Sequence, residues 1–304
     1  MPTRKLLVPL DGTPTSEAAL PFAVAVAQRS GAGIALIRAI HAPSTAAIDE
    51  AEGYLADLAE RLASRGLAVE TGVPFGSAAD WILEEIALRK ADLVVMATHD
   101  RTGPDRWLHG SVAESVISRA AVPVLLVRAA AGSWPVERFE QQHPVLVVAL
   151  DGSELAEAVL PFATQLASEL SGRLALVSAV PRAGQIVFAE GIGVPHSQVD
   201  TKRLQREAEI YLGVVGTQVD NQVVLATTVR LGDPAAEITA EAEERGAAAV
   251  VMATHGRAGL LRTLLGSVAG QVVHNGKTPV VLIRPATLRG AEQTVGQPLA
   301  ASAG

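Results

Sequence analysis

The chain contains no cysteine and few aromatic residues. Among its 304 residues, phenylalanine, tryptophan and tyrosine together account for 3%, and cysteine is absent. The lack of thiols excludes disulfide bonds, cysteine nucleophiles and zinc–thiolate sites from these residues. Apolar residues nevertheless make up 49% of the sequence, so a hydrophobic core must be built mainly from alanine, valine and leucine.

Long apolar runs and basic stretches are also missing. No run approaches the ~18–20 apolar residues that span a bilayer, and the apolar run after Lys5 ends at Asp11, too early for a secretory signal. The formal net charge is −7, without a stripe of basic residues interleaved with aromatics. These features predict a cytoplasmic protein that binds neither membranes nor nucleic acid. The seven histidines lack metal-ligand spacing, so we predict no metal site built from side chains alone.

Two parts of the chain repeat each other. Residues 96–113 match residues 252–269 at 12 positions, with an offset of 156. The earlier motif Asp11-Gly12-Thr13 recurs as Asp151-Gly152-Ser153 at an offset of only 140. The sequence is therefore a tandem duplication of a unit of about 140 residues, which is large enough to bury its own core. The difference between the two offsets indicates a 16-residue insertion in the second copy.

Short apolar runs alternate with helical patterns in each repeat. The first repeat contains five predicted strands, at Lys5–Leu10, Ile34–Ile40, Leu67–Val73, Ala91–Ala97 and Val122–Val127. Because these runs lack polar alternation and are separated by helices, they indicate right-handed βαβ units around a parallel sheet covered on both faces. We predict an α/β fold of two tandem five-stranded parallel-sheet, Rossmann-like domains.

The repeats define the predicted domain boundaries. The first domain spans residues 1–130, a linker with Gly132 and Pro135 spans residues 131–143, and the second domain spans residues 144–286. Residues 287–304 form a predicted tail. The insertion in the second domain, Gly184–Asp200, contains three glycines and a proline, which predicts a loop over one end of the sheet.

The fifth strands of the two repeats are apolar. Pro123–Val127 and Pro279–Ile283 would each form the exposed edge of a sheet. Pairing between them would remove both edges from solvent.

Residues Met252–Ser267 connect a predicted buried strand, Ala247–Met252, to a predicted helix. A helix start offers unpaired backbone N–H groups and the positive end of the helix dipole, and glycine lets the backbone approach an anion closely. Gly266 and Ser267 at this helix start therefore indicate a phosphate-binding loop. The alternative interpretation of the same pair is a simple helix N-cap.

With Asp-Gly-Thr or Asp-Gly-Ser after the first strand and Gly-Ser-Val-Ala after this loop, the chain resembles the universal stress protein family in its tandem form. The resemblance covers nearly the whole chain. Because similar proteins often dimerise through their fifth strands, it implies that the two repeats join through Pro123–Val127 and Pro279–Ile283 into a pseudo-twofold core, and we keep open that two such chains form a homodimer. It implies five-stranded parallel domains of the adenine nucleotide alpha hydrolase-like type. It also implies that ATP, ADP or AMP, alone or with Mg²⁺, binds at the carboxyl ends of the strands, as ligands of open α/β sheets do.

Nucleotide-binding members of that family carry Gly-x₂-Gly-x₉-Gly-Ser/Thr after the fourth strand. The second repeat has alanine at the first of these glycines, and the first repeat has alanine and Asp100 at the first two. In the second repeat the resemblance implies nucleotide contacts at Asp151, Ala179, Met252, Ala253, Gly256, Gly266, Ser267 and Val268. Their counterparts in the first repeat are Asp11, Ala39, Met96, Ala97, Gly110, Ser111 and Val112.

The alanine and the aspartate that replace family glycines have different physical consequences. An added methyl group is harmless where φ is negative and costs about 1 kcal/mol where φ is positive. The carboxylate of Asp100 would repel phosphate by roughly 1–3 kcal/mol at ~4–6 Å, unless Mg²⁺ bridges the two. We therefore predict that the second repeat binds ATP and that the first binds it weakly.

Other interpretations stay open for individual residues and for the whole chain. Asp11 and Asp151 could cap the helices that follow them, a role that can coexist with a place in the site. His99 and His255 follow the fourth strands, but no acidic residue or nucleophile accompanies them at fixed spacing, so we assign no catalytic residue. The chain is thus predicted to be a nucleotide-binding stress-response module, with a nucleotide-free scaffold or a slow ATPase as alternatives.

Overall fold

The computed structural model describes residues 3–41, 44–98, 111–129, 135–182, 186–189, 192–195, 201–219, 223–254 and 265–284. The strands of the first repeat are β1 Lys5–Pro9, β2 Gly33–Ile37, β3 Val69–Gly72, β4 Leu93–Thr98 and β5 Val124–Arg128. Its helices are α1 Pro14–Glu17, α2 Leu20–Ser30, α3 Thr45–Ala63, α4 Ala78–Leu88 and α5 Ser111–Arg119. The strands lie in the order β3-β2-β1-β4-β5 and are all parallel.

The second repeat follows the same plan after a short helix, α6 Glu137–Glu140. Its strands are β6 Val145–Ala149, β7 Arg173–Val180, β8 Ile186–Ala189, β9 Ile192–Pro195, β10 Val224–Leu231, β11 Ala249–Ala253 and β12 Val280–Ile283. Its helices are α7 Glu154–Glu157, α8 Leu160–Glu169, α9 Thr201–Gln218, α10 Pro234–Glu244 and α11 Ser267–Asn275. The main strands lie in the order β10-β7-β6-β11-β12, again parallel. The predicted α/β fold of two tandem five-stranded units is confirmed.

The two units join through their fifth strands. β5 and β12 pair antiparallel, with Leu125 opposite Val281. The result is one ten-stranded sheet rather than two separate sheets, and the predicted pairing of the fifth strands is confirmed. Because Val281 occupies the position of Leu125 at the offset of 156, a pseudo-twofold axis passes through this pair.

Apolar strands with helices on both faces produce two hydrophobic layers. In β1, Leu6 and Val8 face one layer and Leu7 faces the other, and all three side chains are fully buried. Helices α2, α3, α8 and α9 cover the first layer, whereas α4, α5, α10 and α11 cover the second. Each layer contains residues of both repeats, so the core is continuous across the junction.

The segment between the repeats takes part in the core. Phe139 of α6 is fully buried and packs edge-on against Phe22 of α2. Arg29 donates hydrogen bonds to the carbonyl oxygen of Leu170 from Nε at 2.9 Å and from Nη2 at 2.6 Å, and a longer one of 3.4 Å to that of Glu140. The predicted linker, residues 131–143, therefore contains a helix that packs between the repeats, because its Phe139 gains more from burial than from solvent exposure.

The insertion of the second repeat also differs from its prediction. Instead of a loop, it contains an antiparallel hairpin in which β8 pairs with β9, with Ile186 opposite Pro195. The β-branched residues on either side of Glu190-Gly191 form a hairpin pattern that the glycine content obscured. Over the described part of the chain, no helix has the length and apolar character required to cross a membrane.

Candidate functional site

In each repeat, the first strand lies inside the sheet, with the second strand paired along one edge and a later strand paired along the other edge. β1 lies between β2 and β4, and β6 lies between β7 and β11. The order of strands therefore switches beside β1 and beside β6, and a crevice forms at the carboxyl ends of the strands at such a point. Both crevices lie where the sequence predicts nucleotide contacts.

The aspartate after the first strand shapes the loop at this crevice. Asp11 Oδ1 accepts hydrogen bonds from Thr13 N at 2.9 Å and from Thr13 Oγ1 at 2.6 Å. Asp151 makes the same pair of contacts with Ser153, at 3.0 and 2.6 Å. The helix N-caps are Thr13 and Ser153, so the alternative interpretation of the aspartates as caps is wrong. Both aspartates remain exposed at the mouth of the crevice.

The glycine that follows each aspartate is required by the backbone. Gly12 and Gly152 have φ of 84° and 80°, in the left-handed region that residues with a Cβ rarely adopt. A Cβ on Gly12 would also lie 3.1 Å from Cζ of Arg38. The Asp-Gly motif therefore adopts a specific loop conformation, which places a carboxylate at the end of the strand.

In the second repeat, the start of α11 lies against the end of β11. Gly266 N donates a 2.7 Å hydrogen bond to the carbonyl oxygen of Thr254, the residue directly after β11. Gly266 is the N-cap of α11, and no side chain of the described residues caps this helix start. Ser267 is exposed at the first helical position, and Val268 behind it is half-buried. An anion at the crevice would therefore meet backbone N–H groups that no described side chain caps.

The alanine at the first family glycine does not strain the backbone. Ala253 is the last residue of β11 and Ala97 lies within β4, so both have the extended conformation that any residue adopts. Met96 and Met252, one residue earlier, are buried in the layer covered by α4, α5, α10 and α11. Of the two departures from the family pattern, the alanine is thus conformationally neutral.

The remaining predicted residues lie at three kinds of position. Ala39 follows β2 and Ala179 lies near the end of β7, both half-buried. Ser111 begins α5 and Val112 follows it, half-buried. Several predicted residues fall outside the described residues, namely Gly110, Gly256, Asp100, His99 and His255. The described residues contain no group of three or more His, Asp or Glu that could hold a metal ion.

The comparison with known proteins follows the repeat boundaries. The model of the Universal stress protein family matches residues 2–128 and, a second time, residues 144–284. The chain belongs to the universal stress protein family. It is a tandem member, as its sequence resemblance predicts, and its two family units coincide with the two five-stranded halves of the sheet.

Relatives and solved structures extend this result. The tandem universal stress protein is 30% identical to a universal stress protein of Mycobacterium tuberculosis over 225 residues, which cover 73% of this chain and 71% of the relative. It is 34% identical to one of Methanocaldococcus jannaschii over 140 residues, 41% of this chain and 82% of the relative. A universal stress protein from Archaeoglobus fulgidus shares the fold, with a TM-score of 0.70 at 20% identity over 94% of this chain and 100% of that one.

A tyrosine–glutamate pair beside each Asp-Gly loop was missed from the sequence. Tyr54 OH donates a 2.9 Å hydrogen bond to Glu17 Oε1. Burial, followed by this carboxylate, raises the pKa of the Tyr54 hydroxyl. In the second repeat of the universal stress protein, burial and then the charge of Glu157 raise the pKa of Tyr211. A sequence signal was available, because these are the only two tyrosines in the chain and they lie 157 residues apart, one residue more than the offset of the late halves of the repeats.

The two repeats differ at the end of their second strands. In the first repeat, Arg38 donates a 3.0 Å hydrogen bond to Glu50, and its guanidinium carbon lies 5.2 Å from the centroid of the Tyr54 ring. The corresponding residue of the second repeat is Ser178, which is buried. The crevice of the first repeat thus carries a cation that the crevice of the second lacks at this position.

Proposed function

We propose that this tandem universal stress protein binds an adenine nucleotide in its second repeat and responds to stress by a nucleotide-dependent change of conformation or partner. The observation that carries the proposal is the hydrogen bond between Gly266 N and the carbonyl oxygen of Thr254. It holds the start of α11 at the carboxyl end of β11, beside the switch in strand order. Helix starts in this position are suited to phosphate groups.

Each part of the crevice would contact a different part of the nucleotide. Asp151 would accept hydrogen bonds from ribose or adenine, because its carboxylate is exposed at the end of the strand and can accept several hydrogen bonds. Ala179, Met252 and Ala253 would line the base and the ribose. Gly256, Gly266, Ser267 and Val268 would surround the phosphates, with Mg²⁺ as a companion ion.

The first repeat is proposed to bind nucleotide more weakly. Asp100 stands where its phosphate loop would need a glycine, and a carboxylate there repels phosphate. Arg38, already paired with Glu50, changes the charge and shape of the other end of the crevice. The counterparts Asp11, Ala39, Met96, Ala97, Gly110, Ser111 and Val112 would then line a weak site.

Calorimetric titration with ATP, with and without Mg²⁺, tests this proposal. The wild type should bind one ATP per chain with the higher affinity. Gly266→Asp should abolish this binding by placing a carboxylate at the helix start, whereas Gly110→Asp should leave it intact. Two equal sites in the wild type would show that Asp100 is tolerated, and absence of binding with or without metal would reject the proposal.

The second candidate is a nucleotide-free scaffold. It is favoured by the core that runs through both repeats, since a surface supported by a shared core can bind partners without a ligand. A slow ATPase is a weaker candidate. Hydrolysis requires a positioned base, and we assign no such base among the described residues of the crevice. The cytoplasmic location and a homodimer of the whole chain stay predictions.

A further inference from the structure

Two arginines at the junction of the repeats each contact the opposite repeat. Arg128, the last residue of β5, donates hydrogen bonds from Nη1 to the carbonyl oxygens of His274 at 2.8 Å and Gly276 at 3.1 Å. Arg284, directly after β12, donates a 2.5 Å hydrogen bond from Nη1 to the carbonyl oxygen of Ser118. One repeat therefore reaches the end of α11, and the other reaches the end of α5.

The two contacts are the same bond made twice. Arg284 corresponds to Arg128, and His274 corresponds to Ser118, at the offset of 156 that relates the late halves of the repeats. The antiparallel pairing of Leu125 with Val281 carries each arginine past the junction to the other side. Each repeat therefore contributes the same arginine contact to the other across the pseudo-twofold axis, as in an isologous interface.

Each arginine occupies a favourable electrostatic position. The last carbonyl groups of a helix have no hydrogen-bond donor within the helix, and the C-terminal end of the helix dipole is negative. A guanidinium group satisfies both conditions. Both arginine side chains are half-buried, which limits the competition from water and from salt.

The opposite ends of these helices form the candidate nucleotide sites. α11 starts at Ser267 after its N-cap Gly266, and α5 starts at Ser111. Each helix has nine residues, a length of about 13 Å, so a shift of its C-terminal end also moves its first turn. The arginine of one repeat thus holds the helix that presents backbone N–H groups in the crevice of the other.

We propose that Arg128 and Arg284 are positioning residues that act across the junction. Arg128 sets the nucleotide affinity of the second repeat through α11, and Arg284 sets that of the first repeat through α5. Each crevice is lined by its own repeat, but the helix that starts there is held at its other end by the opposite repeat. This inference rests on the proposed nucleotide binding.

Crossed variants test the inference on the full chain with ATP and Mg²⁺ as the probe. In a Gly110→Asp background, which restricts binding to the second repeat, Arg128→Met should weaken ATP binding three- to tenfold. Arg284→Met removes the equivalent bond and is the matched comparison, and it should change the same affinity less than twofold. Arg128→Lys keeps a cation near the carbonyls and should restore at least half of the lost affinity on a logarithmic scale. Equal effects of the two methionine variants would overturn the inference.

Amide hydrogen exchange separates failure of this inference from failure of the proposed function. Arg128→Met should speed exchange in α11 by at least threefold and leave α5 unchanged, and Arg284→Met should do the reverse. This readout does not need a nucleotide. Absence of ATP binding by the wild type would reject the proposed function and with it the effect on affinity, whereas exchange that rises equally in both helices would reject cross-junction positioning itself.

Discussion

Phe139 packs edge-on against Phe22, with ring centroids 5.8 Å apart and ring planes at 85°. Phe22 belongs to α2 of the first repeat, and Phe139 belongs to the short helix that leads into the second. This geometry directs the positive edge of one ring at the negative face of the other. The connection between the repeats is thereby part of the hydrophobic core.

Phe139→Ala should lower the free energy of unfolding by about 3–5 kcal/mol, because it leaves a cavity in a fully buried position. Denaturant unfolding followed by circular dichroism measures this loss. Phe75→Ala is the matched control, since Phe75 is 58% exposed, and it should cost under about 1 kcal/mol. Equal losses in the two variants would show that α6 contributes little to the core.

The continuous core predicts that both repeats unfold together. The three tryptophans are Trp81, Trp107 and Trp134, so fluorescence reports on the first repeat and the connection, whereas circular dichroism reports on both repeats. The two signals should show coincident transitions in the wild type. Leu125→Asp places an unpaired charge opposite buried Val281 and should separate the transitions. Separate transitions in the wild type would contradict a shared core.

Two glycines of the first repeat should respond in opposite directions to alanine. Gly12→Ala should destabilise by about 1 kcal/mol or more, because φ is positive and Arg38 lies close. Gly53→Ala should stabilise by about 0.5–1 kcal/mol, because Gly53 lies inside α3 with open space around it among the described residues. The midpoints of denaturant unfolding test both shifts, and a loss of stability in Gly53→Ala would count against the described packing of α3.

The two tyrosine hydroxyls should lose their protons at a higher pH in the folded protein than in the unfolded protein. Burial and neighbouring glutamates raise the pKa of Tyr54 and Tyr211 above the ordinary value, which is about 10. Because the folded pKa is the higher one, the protonated hydroxyls contribute stability that is complete below about pH 10 and is lost as the pH rises toward the folded pKa. At about pH 11, the folded protein should therefore show less phenolate absorbance than the protein unfolded in denaturant.

Single replacements assign this signal. The chain has two tyrosines, so Tyr54→Phe and Tyr211→Phe should each remove about half of the phenolate absorbance of the unfolded protein. Each variant should also lessen the loss of stability between about pH 10 and pH 11. A folded protein that titrates as the unfolded one does would show that the hydroxyls are exposed to solvent.

The sequence by itself determined the duplication, the parallel direction of the strands within each repeat and the end of the first strand at Asp11. These features are encoded locally, since apolar runs predict strands, Asp-Gly interrupts a strand, and a repeated motif predicts a repeated unit. The apolar character of β5 and β12, together with the family resemblance, likewise predicted their pairing. Even the position of α11 after β11 followed from the glycine–serine pair at its start.

Only the tertiary structure decided which distant groups meet. The packing of Phe139 on Phe22, the contact of Tyr54 with Glu17 and the contacts of Arg128 and Arg284 all join segments far apart in the chain. From the sequence alone, an arginine at the end of a strand is expected to be solvated. Its partner here is a helix carbonyl oxygen of the other repeat, which comes within reach only when the two repeats share a sheet. Such contacts depend on the register of the β5–β12 pair, and register is set by packing on both faces of the sheet.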